Sequence, residues 1–111
     1  MLVEDILQNL EHLARELLET PASARPDRWG AFTPGIRVLR RFNNRACGAD
    51  GYIEEKIAQF EWHVKAIAGL SPTNNHYAEE HFVGARGAID SLRMAFGDKV
   101  KEPVDIATQE E

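Results

Sequence analysis

Cysteine is nearly absent. Cys47 stands alone among 111 residues, so no disulfide can close within the chain. A thiolate-rich zinc site would also lack ligands. That usage fits a reducing, cytoplasmic setting. Long apolar runs are missing too, and no segment predicts a membrane span. The first residues, MLVEDILQNLEHLARELLE, carry acids at Glu4 and Asp5, where a signal peptide wants positive charge, so none is expected. Cations are outnumbered, 13 Lys and Arg against 18 Asp and Glu, for a net charge of -5. That balance argues against general binding of duplex DNA, which requires many phosphates to be neutralised. There is no GxGxxG or P-loop spacing, and no nucleophile elbow surrounds Ser71 or Ser91. Internal repeats and low-complexity segments are lacking as well.

What remains is ordinary globular material: 43% hydrophobic and 28% charged residues, enough for one small domain. Its apolar residues are spaced for helices. Val3, Ile6, Leu10, Leu13 and Leu17 step by three and four, which predicts a helix over residues 2–19, with Leu7 and Ala14 widening the stripe. Thr20-Pro21 ends it, because the residue before proline avoids helical geometry. Residues 20–33 read as a linker, with Trp29 and Phe32 laid over the bundle as a lid. A second, shorter helix is predicted over 34–46, with Thr33 as N-cap and Pro34 in the first turn. The third spans about 51–69 behind Asp50, with Ile53, Ile57, Phe60, Val64 and Ile67 on one seam. The fourth follows the SPTNN turn. It has two stripes, one of Ala78, Phe82, Ala85, Ile89, Leu92 and Phe96. The other, mostly small, is Tyr77, His81, Gly84, Ala88, Ser91 and Ala95. Two packing stripes place this helix between two neighbours. The expectation is an all-α bundle of three long helices and one short Arg-rich helix, a single domain over 1–97. Residues 98–111 read as a polar tail.

The second helix gathers Arg37, Arg40, Arg41 and Arg45 within nine residues, with no acid between Arg28 and Ala49. Wound at the helical period, Ile36, Leu39, Phe42 and Ala46 take one side and the arginines face outward together. Arginine's planar fork suits carboxylate and phosphate. The face reads either as an anion-binding surface or as a solvated one that pairs with acids of the first helix. Exposed aromatics among the cations would favour a nucleic acid, but Phe42 lies on the apolar side.

Of the four histidines, His12, His63, His76 and His81, His76 lies four residues from Glu80, so both could touch one metal, though that pair alone makes no site. A di-iron bundle needs further carboxylates facing its core, and Glu54, Glu55 and Glu61 lie off the seam. They read as ordinary histidines, with no metal or cofactor expected. Cys47 at a helix C-terminus is disfavoured as a thiolate by the dipole. Adjacent pairs such as Glu54-Glu55 and Glu79-Glu80 diverge on a helix and form no acid/base dyad. Trp62 falls opposite its helix's seam. It is expected to be covered by the second helix or the linker; left exposed, it would be an interface anchor.

The expected function is therefore non-enzymatic. A small acidic helical adaptor or inhibitor would bind a protein partner through Arg37, Arg40, Arg41 and Arg45, with Trp29, Phe32 and Trp62 as interface aromatics. The broad stripes of the first and fourth helices predict a homodimer. The alternative is a binder of a nucleotide or RNA through the same arginines.

Overall fold

The computed structural model describes residues 1–71 and 77–104. Four helices carry the fold: α1 (Val3–Glu19), α2 (Thr33–Ala46), α3 (Gly51–Ile67) and α4 (Ala78–Phe96). Each packs against its two neighbours around a closed circuit, and α3 against α4 is the most extensive contact. Neighbours run antiparallel, as short connections require. Among the described residues there is no strand, only one isolated bridge between Leu2 and Pro103. No described helix is long and apolar enough to cross a membrane.

The periodic seams form the core. Val3, Ile6, Leu7, Leu10, Ala14 and Leu17 of α1 are buried, as are Ile53, Ile57, Phe60, Val64 and Ile67 of α3. On α4 the large stripe faces inward, while the small stripe lies against α3, where Ala88 is buried. A Cβ added at Gly84 would collide with the His63 ring, which fills the space left because residue 84 has no side chain. The placement of α4 between α1 and α3 thus follows from its two stripes.

Three features depart from the expected outline. The linker is itself 3-10 helical over Ala22–Ala31, with Trp29 C=O accepting from Phe32 N–H at 3.0 Å. Arg25 lies in it and donates to the carbonyls of Leu18 and Thr20, both at 2.9 Å, closing the C-terminus of α1. Thr33 is the first helical residue of α2 rather than its cap, and its hydroxyl donates to Gly30 C=O. Finally, part of the expected polar tail is structural. Gly97–Lys101 form a 3-10 turn, Val104 is buried, and its N–H donates to Met1 C=O at 2.7 Å. Residues 105–111 lie outside the described part.

Two arginine clamps tie the circuit. Arg93 of α4 reaches Glu4 and Glu11 of α1 at 2.8 and 3.3 Å. Arg40 of α2 reaches α3.

Candidate functional site

One of the four arginines is drawn out of the expected face. Arg40 donates to Glu54 at 2.9 Å and Glu61 at 3.0 Å, two carboxylates on one side of α3. Partial burial works against its charge, but the two hydrogen bonds and the carboxylate charges outweigh this and raise its pKa. Arg41 and Arg45 are engaged as well. Arg37 is exposed and forms no ion pair among the described residues; it borders a cleft with Thr33, Ile36, Arg40 and Glu61. Arg40 is therefore turned to α3 rather than outward. Periodicity locates a Cα on a helix, whereas a long guanidinium stem reaches the next helix if acids wait there. Those acids belong to α3, not α1.

The three aromatics separate in the same way. Phe32 is 1% exposed, stacked on Trp29 with centroids 5.9 Å apart and tilted against Phe60 at 6.2 Å. It is core, and so not an interface residue of this chain. Trp29 is half-buried above it, with the Lys65 ammonium 5.2 Å from its ring. The lid reading holds for both. Trp62 is 48% exposed, and neither α2 nor the linker covers it. Its ring meets the imidazoles of His63 and His81 edge-on, at centroid distances of 4.9 and 5.2 Å.

These two histidines form a pair that the sequence reading passed over. Their Nδ1 atoms lie 3.1 Å apart across the α3–α4 seam. His81 is 2% exposed and His63 half-buried. Burial, and then the charge of His81, hold His63 below the usual histidine range. A signal did exist: residues 63 and 81 are nearly equidistant from the SPTNN turn, and an antiparallel hairpin brings such positions side by side. His76, weighed instead with Glu80, lies outside the described residues. His12 is exposed and pairs with Glu16 at 3.2 Å.

Cys47 is part-buried, and desolvation raises its thiol pKa, with Lys99 the opposing cation. The thiol form is thereby favoured over the nucleophilic thiolate. Among the described residues no group of three or more His, Cys, Asp or Glu could hold a metal ion. α4 also carries exposed apolar groups, Val83 at 69% and Met94 at 84%. No family model, curated protein or solved structure matches the chain.

Proposed function

We propose that the protein is a non-enzymatic interaction module, a small helical adaptor or inhibitor whose anchor for a protein partner is Trp62. One observation carries this reading. Trp62 is nearly half exposed, yet its ring is held against two imidazoles. An aromatic that is both exposed and positioned loses little freedom on binding, which is why tryptophan dominates interface energetics. The working surface thus moves from α2 to the outer side of α3 and α4.

A second reading keeps the arginines. Arg37 is open to an anionic partner, a phosphorylated ligand included. The Glu61 carboxylate lines the same cleft and opposes an anion there, so this reading is the weaker one.

Affinity measured against one captured partner separates the two. Trp62→Ala should weaken binding at least tenfold, while Arg37→Glu leaves it within about threefold. The reverse pattern returns the surface to α2. Unchanged affinity in both variants overturns both readings.

A further inference from the structure

The His63–His81 contact has a defined direction. The ring centroids are 5.4 Å apart and the Nδ1 atoms 3.1 Å. The difference is taken up by the two ring radii, so the nitrogens point at one another head-on. A lone pair must then meet an N–H. One neutral imidazole carries its proton on Nδ1 and the other on Nε2. A metal ion with bonds of about 2.0–2.1 Å to nitrogen does not fit on the line between them.

We propose that His63 and His81 form a proton-operated clasp on the α3–α4 seam, closed by one proton between the rings and opened, with displacement of Trp62, when both imidazoles are charged. One proton taken up from solvent converts the neutral contact into a charge-assisted N–H···N bond, which the head-on geometry accepts. A second leaves an N–H on both facing nitrogens. Two like-charged donors then meet with no acceptor between them.

The charged groups around the seam have partners of their own. On α3, Glu61 is turned to Arg40, and Lys65 lies over Trp29. On α4, Glu80 accepts from the Tyr77 N–H, and Arg86 pairs with Glu11. On α1, Arg15 lies over the Phe82 ring. Among the described groups, the charge that acts on His63 is that of His81. At Gly84 the His63 ring occupies the place of a side chain, so the closed position depends on that glycine. Because Trp62 touches both rings, it cannot stay in place when they part. The consequence for a partner rests on the Trp62 reading, but the clasp itself does not.

The test uses the whole chain without a partner, carrying Trp29→Phe so that Trp62 is the sole indole. Long-range ¹H–¹⁵N spectra near pH 8 should show one Nδ1–H and one Nε2–H imidazole. Titration to about pH 5 should shift Trp62 emission to longer wavelength as the second ring charges, with helicity by circular dichroism retained. In His63→Gln, which cannot acquire the second charge, the shift should disappear. Identical tautomers, emission unchanged once both rings are charged, helicity lost at the same midpoint, or a shift persisting in His63→Gln would each overturn the clasp. A missing partner effect alone would overturn only the Trp62 reading.

Discussion

Asn43 shows how much one polar side chain can organise. It is 1% exposed, and its amide is used at both ends: Nδ2 donates to Asp50 C=O at 3.0 Å, and Oδ1 accepts from Asp50 N–H at 3.1 Å. Its own carbonyl accepts from Cys47 and Ala49. Asn43→Ala would leave the Asp50 N–H without its partner and remove one of the two donors to its C=O, which keeps Glu54 N–H, so it should cost about 1–3 kcal/mol in denaturant unfolding. Periodicity could not mark Asn43, because its neighbours are the turn it closes and no stripe. His63 sets a second expectation. Its folded pKa is depressed, so below the ordinary value of 6.5 the unfolded chain binds more protons than the folded one. Its contribution is present above about pH 6.5 and is lost as the pH falls through the lowered folded value. Thermal melts between pH 8 and 5 should fall more steeply for the wild type than for His63→Gln in that window.

At the scale of helices, the legible parts are those that repeat. Seams of three and four steps identify α1, α3 and α4, because burial of one face is a property of spacing alone. Asp50 was also readable, and its carboxylate accepts from Ile53 N–H at 3.0 Å. Asp50→Ala should lower stability by about 1 kcal/mol, measured as a shift in the denaturation midpoint. The boundary at Thr33, the 3-10 turns and the direction of Arg40 were not legible. Each depends on what lies across the gap: Gly30 C=O for Thr33, and Glu54 with Glu61 for Arg40. The candidate site was half visible. Trp62 stood out because it broke a pattern, whereas His63 and His81 become a pair only once α3 and α4 are antiparallel.

For the whole molecule, the broad stripes that suggested a dimer have an intrachain use. The α1 stripe faces α2, α4 and the 3-10 segments, and the small stripe of α4 faces α3. Neither is left over as a reason for pairing. The end of the described chain also belongs to the bundle, since Val104 is 8% exposed in the core cluster. Removing residues 103–111 should therefore cost about 1.5–3 kcal/mol, the worth of burying one such side chain. An unchanged melting temperature would make that contact incidental. The hydrogen bond from Val104 to Met1 brings both ends of the described chain to the pole where α1 begins. In this up-and-down circuit α4 starts at the other pole, and His81 lies in its first turns with Trp62 beside it. A tether joined at Met1 would therefore leave from the side away from the tryptophan. A chain immobilised through Met1 would present the tryptophan to solution.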